Sequence, residues 1–356
     1  MMDSRQLGRW EVVGGRITFG LSVLTGFSFL SMYVPPYYAV WFQWLGLSLP
    51  ILLIINFLLL VFWAIRRKKW FYLSLVALLS NFHYYSKVYQ FPFRDKSKSD
   101  SVPDLVVASY NVHGFQLDYG GSSLMNIAEL VEEKHAQVVC LQEVPNDLDK
   151  ATLLKAFRTM RYIISTEKVE NSSNILVLST FPIKRSQVIS FPERANCAVT
   201  ADLDVKGRLM RVITCHLQTT NWNQIKNKPN EERNFGFGFW HLFAIESVVG
   251  RNYQYRGLQA DSLSELIRRS RVPVIVCGDF NDTPISYTYR KMRGQLADSF
   301  RESGKGYAYT YRYLHKLFRI DYLFYSPGDL KARYYESPEV VYSDHNPIII
   351  GLDWVN

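Results

Sequence analysis

The N-terminal part of the chain is dominated by a long apolar run. From Ile17 to Ile65 no side chain is charged. A helix crosses the apolar core of a bilayer with about 20 residues, so this run is long enough for two spans. The pair Pro35-Pro36 interrupts it, because proline cannot continue a helix. We therefore predict one span at Ile17–Val34 and a second at Phe42–Ile65.

A third apolar segment, Trp70–Phe82, follows a basic block at residues 66–69. It is short for a span unless it extends to Tyr85. We therefore predict a membrane-anchoring region at 1–91 with two or three transmembrane helices, which contacts the bilayer through residues 17–85. The basic clusters before the first span and after the second are expected in the cytoplasm. A third span would place the remaining chain outside, which we favour, whereas an interfacial segment would leave it inside.

Two alternatives to membrane anchoring can be weighed on the same residues. A secretory signal peptide fits poorly, because no small-residue cleavage site precedes the second apolar run. A buried helical hairpin of a soluble protein would also be apolar, but a charge-free run of this length is typical of membrane segments. Membrane anchoring is therefore the expected role of this region.

The charge of the chain is concentrated at the same end. The formal net charge is +9, which would suit a nucleic-acid-binding protein. Residues 1–100 hold 11 basic and 4 acidic side chains, however, so only +2 remains for the rest of the chain. The basic excess therefore belongs to the membrane-anchoring region and is no argument for nucleic acid.

After a polar, proline-bounded linker at 92–103, the chain changes to short apolar runs over 104–356. Continuous runs of this length are typical of strands buried on both faces. Strands are predicted at Leu105–Val112, Gln137–Glu143, Met210–Leu217, Val272–Asp282, Arg319–Tyr325 and Val340–Ile350. Helical spacing of apolar residues predicts helices at Ser123–Lys134 and Leu258–Arg268. This alternation predicts an α/β (α+β) domain.

Each predicted strand carries a polar side chain where it leaves the core. The set comprises Asn111, Glu143, His216, Asp279, Asn281, Asp321, Asp344 and His345. An isolated carboxylate beside an apolar core is costly, so several acids on one rim require a partner, which a divalent cation provides. Carboxylate and amide oxygens without thiolates suit magnesium, calcium or manganese rather than zinc.

The four cysteines do not contribute to such a site. Cys140, Cys197, Cys215 and Cys277 show no CxxC spacing, and three of them lie in apolar runs. We expect buried, reduced thiols rather than a disulfide or zinc framework.

The polar rim suits hydrolysis of a phosphoester. A metal ion and imidazolium groups can neutralise the charge that builds on phosphoryl oxygens. Asp279 or a histidine can deprotonate the attacking water. Asp321 is a candidate carboxylate partner for His345.

Six motifs resemble those of a known family. In chain order between residues 104 and 353 they are SYNVHGF, LQEVPND, TCHLQ, GDFNDTP, IDYLF and SDHNPI. They are similar to the successive motifs of the endonuclease/exonuclease/phosphatase superfamily. The resemblance implies a four-layer sandwich of two mixed β-sheets flanked by helices. It also implies a metal-dependent phosphoric ester hydrolase that uses Mg²⁺, with Mn²⁺ as an alternative.

The resemblance assigns metal-binding positions. Glu143 resembles the principal metal ligand of the superfamily, with Asn111 and Asp344 nearby. His113 departs from the pattern, because several nucleases of the superfamily carry an acid at that position. No metal coordination is therefore inferred for His113, which is expected on the rim.

The resemblance also assigns catalytic positions. Asp279 resembles the residue that activates the attacking water, and Asn281 resembles its phosphate-binding neighbour. His345 resembles the catalytic histidine that pairs with an acid, here Asp321. His216 resembles a second phosphate-contacting group.

Residues 218–257 form a long connection with glycine-separated aromatic side chains. These are Phe235, Phe237, Phe239 and Trp240. The segment either folds back onto the core or forms an aromatic hairpin beside the active site that touches lipid or stacks on bases. Arg256, near its end, either contacts phosphate or supports the structure.

We therefore expect a membrane-anchored, magnesium-dependent hydrolase of phosphoester bonds, mainly phosphodiesters, that acts by metal-assisted attack of an activated water. Its substrate would be a phospholipid or sphingolipid headgroup. The alternative is a membrane-tethered nuclease acting on DNA or RNA. A non-catalytic binding scaffold is disfavoured because all the key polar residues are present. No protein partner is predicted.

Overall fold

The computed structural model describes residues 4–91, 102–166, 174–191, 196–220 and 239–355, without side chains for 4–7, 239–247 and 314. Most of the predicted linker at 92–103 therefore lies outside the described residues. So do the aromatic side chains of the 218–257 connection that the sequence singled out.

Four helices form the N-terminal region. They are α1 Ser4–Phe27, which a 3₁₀ helix at Ser28–Met32 continues, α2 Trp41–Ile65, α3 Phe71–Ser80 and α4 Phe82–Val88. The segments Gly8–Met32 and Trp41–Ile65 are long and apolar enough to cross a membrane, and they overlap the two predicted spans. The third apolar segment is divided at Asn81, and α3, with 10 residues, is too short to cross alone.

Hydrogen-bonded polar side chains lie between these helices beside apolar ones such as Leu52, and many other apolar side chains lie outside. Asn56 of α2 donates to Thr25 Oγ1 (2.7 Å) and accepts from Ser22 Oγ (2.9 Å), both on α1. Ile54 and Phe57 of α2 point outward and are 61% and 54% exposed. The apolar exterior differs from the polar exterior expected of a water-soluble helical bundle.

The remaining chain alternates strands and helices. The helices are α5 Leu124–Glu133, α6 Lys150–Ala156, α7 Phe239–Arg268, α8 Tyr287–Arg293 and α9 Ser299–Ser303, with 3₁₀ turns at His113–Phe115 and Leu314–Lys316. The strands are β1 Tyr89–Gln90, β2 Leu105–Asn111, β3 Val138–Val144, β4 Tyr162–Ser165, β5 Asn174–Ser179, β6 Ile183–Ser190, β7 Cys197–Val205, β8 Arg208–His216, β9 Val274–Asp279, β10 Ala297–Asp298, β11 Gly306–Tyr307, β12 Asp321–Tyr325, β13 Leu330–Glu336 and β14 Ile348–Trp354.

The strands of the described residues form two large mixed sheets and one small ribbon. One sheet has the order β13-β14-β2-β3-β5-β4, and the other has the order β10-β12-β9-β8-β7-β6. The pairs β2–β3 and β8–β9 are parallel, and their neighbours in each sheet are antiparallel. The ribbon pairs β1, directly after α4, with β11 and so joins the N-terminal region to the second half of the chain.

The core lies in three layers of contact. The inner faces of the two sheets pack on each other through residues such as Val107 and Val199. Ile127 of α5 packs on the outer face of the first sheet, and Leu263 of α7 packs on the outer face of the second. The expected four-layer sandwich is therefore confirmed. All four cysteines are buried thiols, as predicted.

Some predicted boundaries were wrong. The strand expected at Val340–Ile350 is displaced: β14 begins only at Ile348, and a loop precedes it. Pro347 explains this, because proline has no N–H for a sheet and restricts the residue before it. The helix predicted at Leu258–Arg268 is only the last part of α7. The strand predicted at Arg319–Tyr325 begins only at Asp321.

Candidate active site

The candidate site lies at one edge of the sandwich, where the two sheets present strand ends side by side. Asn111 is the last residue of β2, and Glu143 is the last but one of β3, which runs parallel to β2. His216 and Asp279 end the parallel strands β8 and β9 in the other sheet and are directly opposite each other. Neighbouring parallel strands end at the same edge of their sheet, so the two side chains of each sheet lie close together. The packing of the two sheets on each other then brings the two pairs together.

The other acidic and histidine side chains of the site lie at or before the first residue of two antiparallel strands. Asp321 starts β12 and is paired in register with Asp279 of β9. Asp344 and His345 lie in the loop before β14, which runs antiparallel to β2. The sequence placed these three residues inside predicted strands, whereas Asp321 is the first residue of its strand and Asp344 and His345 precede theirs. It did not reveal that two strands run the opposite way, so that their first residues meet the last residues of the others.

Glu143 is held in an unusual backbone conformation. Its φ is +57°, in the left-handed region, and the pairing of β3 with β5 shifts register between Leu141 and Val144. A bulge of this kind redirects a side chain at the end of a strand. Burial raises the pKa of the Glu143 carboxyl, but His113, His216 and Asn111 lower it more, so the net shift is downward. Glu143 is therefore an anion at neutral pH.

Asn111 connects the carboxylates of the two sheets. Its side chain is fully buried, and its Nδ2 donates to Glu143 Oε1 (2.9 Å) and Asp279 Oδ2 (3.1 Å). Its Oδ1 accepts from the backbone N–H of His113 (3.1 Å). The amide thus fixes the separation of two acids that come from different sheets.

His345 and Asp321 form a buried pair. His345 Nδ1 lies 2.7 Å from Asp321 Oδ2, and His345 Nε2 lies 3.8 Å from Asp279 Oδ2. Burial lowers the pKa of His345, but the Asp321 and Asp279 carboxylates raise it more, to about 10. Burial, reinforced by the charge of Asp321, raises the pKa of Asp279 to about 6. The imidazole is therefore protonated at neutral pH, while Asp279 titrates near neutrality.

His216 and Asn281 lie on the second sheet's side of the cluster. His216 Nε2 is 3.4 Å from Glu143 Oε1 and 3.7 Å from Asp279 Oδ2. Asn281 has a φ of +52°, and its backbone N–H donates to Asp279 Oδ1 (2.8 Å). Its side-chain amide donates to the carbonyl of Leu217 (3.1 Å), which ties the turn after β9 to the end of β8.

His113, expected only on the rim, lies between two acids. Its Nδ1 is 3.6 Å from both Glu143 Oε2 and Asp344 Oδ1. The neighbouring Glu143 carboxylate raises the pKa of His113, although partial burial lowers it. The imidazole is about half exposed and bridges the two acids that the sequence singled out as metal ligands, Glu143 and Asp344.

The donor atoms at this edge suit a hard divalent cation. The ligand atoms of Glu143, His216 and Asp279 lie within 4.8 Å of one another, and so do those of Asp279, Asp321 and His345. Glu143 and Asp344 are partly exposed, with side chains 26% and 13% accessible, whereas Asp279 is buried. Each group has two carboxylates, one imidazole and no cysteine, a donor set compatible with a hard divalent cation.

A cleft of about 350 Å³ opens over the cluster. Its polar wall includes Glu143, Asp279, Asn281, Asp344 and His345. Sequence reasoning missed the other wall, which contains Thr219, Thr220, Tyr311, Phe318 and Leu47 of α2. Tyr311 packs edge-on against the His345 ring at 5.2 Å. These residues belong to no recognisable motif, so only their position in the fold identifies them.

Arg256 supports this wall from below. It is 1% exposed, and its guanidinium donates to the Gln218 carbonyl (2.9 Å) and Thr220 Oγ1 (2.7 Å). Its Nη1 also lies 3.4 Å from Asp282 Oδ2. Arg256 does not line the cleft but holds Thr220, which does. The geometry therefore agrees with the supporting role that the sequence left open.

A double sheet with acids, amides and paired histidines at one edge defines a phosphoester-hydrolase type of site. The family model described as the Endonuclease/Exonuclease/phosphatase family matches residues 108–345. The chain belongs to this family, and is an enzyme of the phosphoester-hydrolase class. A second model, described as a Domain of unknown function (DUF8431), matches residues 14–88. Among curated proteins, no match to this chain was found.

Solved structures share the fold. The catalytic domain of human nocturnin with bound sulfate aligns with a TM-score of 0.51 at 20% identity, covering 71% of this chain and 94% of that one. The mannosyl-6-phosphatase Bt3783 of Bacteroides thetaiotaomicron gives 0.50 at 19%, covering 70% and 99%. Humanized D. rerio TDP2 gives 0.50 at 17%, covering 70% and 98%. At these identities the likeness shows the fold alone.

Proposed function

We propose that this protein is a divalent-metal-dependent hydrolase of phosphoester bonds, chiefly phosphodiesters, anchored in a membrane by residues 1–91. The catalytic domain occupies residues 104–356. One observation carries the proposal: Glu143 and Asp344 each lie 3.6 Å from His113 Nδ1 and line an open cleft together with the buried carboxylate of Asp279.

The metal site would use Glu143, Asp344 and the amide oxygen of Asn111. Mg²⁺ or Mn²⁺ bound there would neutralise charge on the phosphoryl oxygens. Glu143 suits this role because it is ionised and partly exposed to the cleft. Asn111 and His113 contact it and set its orientation.

The remaining residues act on water and phosphate. Asp279, with its pKa near 6, accepts a proton from the attacking water. The water oxygen bonds to phosphorus, the bond from phosphorus to the leaving oxygen breaks, and that oxygen takes a proton from solvent. His345, kept protonated by Asp321, donates to a phosphoryl oxygen and stabilises its charge. His216 and Asn281 contact the phosphate from the other side.

The helical bundle, with hydrogen-bonded polar side chains between its helices and exposed apolar side chains outside, supports membrane anchoring. Hydrogen bonds such as Asn56 to Thr25 (2.7 Å) and Trp63 Nε1 to Thr18 Oγ1 (2.7 Å) are enclosed between helices. Polar contacts between helices and an apolar exterior are expected where the surroundings are lipid. A core hairpin of a soluble protein would show the opposite distribution.

The arrangement of the bundle supports an extracytoplasmic catalytic domain. The basic block at 66–69 lies at one end, where Lys68 Nζ contacts Glu11 Oε2 (2.7 Å). The other end contacts the catalytic domain, where Ser31 Oγ donates to the Ile285 carbonyl (2.5 Å). If the basic end is cytoplasmic, as expected for clustered Lys and Arg, the catalytic domain lies on the far side.

The substrate that we favour is a phosphoester at the bilayer surface. The net charge of +2 beyond residue 100 offers little long-range attraction for a polyanion such as DNA. Anchoring keeps the cleft beside lipid headgroups permanently. Release of headgroups from vesicles, compared with cleavage of plasmid DNA and RNA by the same full-length protein, tests this preference.

The hydrolase proposal is tested with bis(p-nitrophenyl) phosphate and full-length protein in detergent. We expect no hydrolysis in EDTA, recovery with Mg²⁺ or Mn²⁺, and no activity in Glu143→Ala. Full activity in EDTA would contradict the metal assignment. A Glu143→Ala variant as active as wild type would contradict the site.

Anchoring is tested by carbonate extraction of membranes from cells that express the full chain. We expect the protein to stay in the membrane pellet. Release into the carbonate supernatant would show that residues 1–91 do not span the bilayer.

A further inference from the structure

We propose that one face of α2 extends the catalytic cleft into a binding track for the acyl chain of a lipid substrate. The track ends in an apolar groove between α2, α3 and α4. This inference rests on the proposed hydrolase function and specifies its substrate class: a phosphoester of a long-chain lipid that is held partly within the bilayer.

The helix α2 is part of the catalytic cleft itself. Leu47, half-buried in the second turn of α2, lines the same cleft as Glu143, Asp279 and His345. A transmembrane anchor that served only as a tether would have no reason to contribute an apolar wall to a phosphate-binding cleft. Leu47 therefore brings the apolar face of α2 to the reacting phosphate.

The position of α2 against the catalytic domain is fixed by specific contacts. Val40, just before the helix, packs with Val249 and Tyr253. Tyr37 OH donates to Asp261 Oδ2 (2.9 Å), and Leu49 packs against Ile285. These contacts involve the first turns of α2 and the segment before it, so that end of the bundle is docked beside the cleft.

A continuous face of α2 leads away from the cleft. Leu47, Pro50, Ile54 and Phe57 follow at spacings of three and four residues and therefore lie on one side of the helix. A small cavity of about 10 Å³ adjoins the cleft and shares Leu47 and Phe318 with it, and Pro50 and Tyr84 also line this cavity. This cavity is the neck of the track.

The neck can widen without loss of core packing. Leu317, one of the residues that line it, is 55% exposed, and Phe318 is only half-buried. Neither side chain belongs to the buried cluster of Leu49, Leu53 and Ile285, so their rotation would widen the neck without removing those contacts.

Beyond the neck lies a groove suited to an acyl chain. It has a volume of about 370 Å³, and Ile54 and Phe57 of α2 face Leu79 of α3 and Phe82 of α4 across it. Leu79 and Phe82 are 63% and 67% exposed. Tyr85 supplies the one hydroxyl among the residues lining the groove. A chain in this groove would contact hydrocarbon along most of its length.

The depth of the cleft fits a lipid headgroup. About 20 residues of helix cross the apolar core of a bilayer. Counted back from Ile65, where α2 ends, they reach Gly46, the neighbour of Leu47. With Ile65 at one boundary of the bilayer core, the apolar wall of the cleft would lie at the level where headgroup phosphates meet acyl chains, and Ile54 and Phe57 would lie deeper in the core.

The test compares substrates that share a phosphoester but differ in their apolar part. Dioleoyl phosphatidylglycerol, phosphatidylethanolamine and phosphatidylcholine, and sphingomyelin, are presented to the full-length protein in mixed micelles. Monomeric dihexanoyl analogues of the glycerolipids and bis(p-nitrophenyl) phosphate serve as short-chain and chain-free substrates. We expect kcat/KM for at least one long-chain lipid to exceed that of its dihexanoyl analogue by at least tenfold.

Variants then test whether the acyl chain of the substrate binds in the groove. Ile54→Trp and Leu79→Trp fill the groove. For each variant we compare kcat/KM for the long-chain lipid with kcat/KM for bis(p-nitrophenyl) phosphate, and we expect the ratio of the two to fall about tenfold. This is the loss expected when about two methylene groups leave an apolar contact. Ile51→Trp is the matched control. Ile51 lies on the same helix with similar exposure, 63% against 61% for Ile54, but does not line the groove. Its ratio should equal that of wild type.

The outcomes separate this inference from the hydrolase proposal. Equal ratios for all three variants, equal rates for long and short chains, or cleavage of bis(p-nitrophenyl) phosphate and DNA but of no lipid would overturn the acyl-chain track and leave the hydrolase standing. Failure to cleave any phosphoester would overturn both.

Discussion

Replacing Asp279 by asparagine should abolish activity and at the same time stabilise the fold at neutral pH. Burial and the neighbouring Asp321 carboxylate raise the pKa of Asp279 from 3.8 to about 6. A shift of about 2 units means that ionising this side chain in the folded protein costs about 3 kcal/mol. Asparagine has nearly the same shape without the charge.

Part of this gain is offset by a lost hydrogen bond. Asn111 Nδ2 donates to Asp279 Oδ2 (3.1 Å), and an amide nitrogen at that position could not accept it. Loss of one such bond costs about 1 kcal/mol. The expected net stabilisation of Asp279→Asn is therefore about 2 kcal/mol, which corresponds to an increase in Tm of about 5 °C for a chain of this size.

The pH dependence makes the prediction specific. Because the folded-state pKa of Asp279 is raised, its carboxyl favours the folded protein only while it is protonated. That contribution is complete below about pH 4 and is lost as the pH rises through about 6. Wild type should therefore be less stable than Asp279→Asn at pH 8, and this advantage of the variant should disappear near pH 4.

The assay is thermal unfolding of both full-length proteins in detergent with EDTA, from pH 4 to pH 8. EDTA is needed because a bound cation would itself stabilise the carboxylate. Asp321→Asn is the control: it removes the partner of the buried His345, 2.7 Å away, and should lower Tm at pH 8. An Asp279→Asn variant less stable than wild type at pH 8, or a difference independent of pH, would refute the reasoning.

Three further variants test other parts of the site. His345→Ala should lower kcat on bis(p-nitrophenyl) phosphate by a factor of about 10² to 10⁴ with an unchanged circular dichroism spectrum, because it removes a charge that acts on the transition state; a loss below threefold would contradict its role. Glu143→Gln should raise the Mg²⁺ concentration for half-maximal activity at least about tenfold, as a metal titration would show. Arg256→Met should leave the buried Asp282 carboxylate uncompensated and lower Tm by about 10 °C, since breaking a buried pair costs about 3–5 kcal/mol; an unchanged Tm would show that Arg256 does not support the cleft wall.

The sequence was sufficient for the class of fold and for most of the polar cluster. Apolar runs predict strands because a sheet that is covered on both faces requires apolar side chains at successive positions of each strand. Acids such as Glu143 and Asp279, directly after such runs, are conspicuous because a carboxylate beside a core requires a partner. The charge-free run at 17–65 likewise follows from local composition, since a helix in lipid must be apolar along its whole length.

Only the tertiary structure decided which strand ends meet. The direction of β12 and β14 is not written in their composition, so the position of Asp321 at the start of its strand was missed, and Asp344 and His345 were placed in a strand rather than a loop. Leu47 of α2 lines the cleft, and Arg256 of α7 holds the cleft residue Thr220, although these elements are far apart in sequence. Their roles depend on how separate elements pack, and no local pattern records a contact across hundreds of residues.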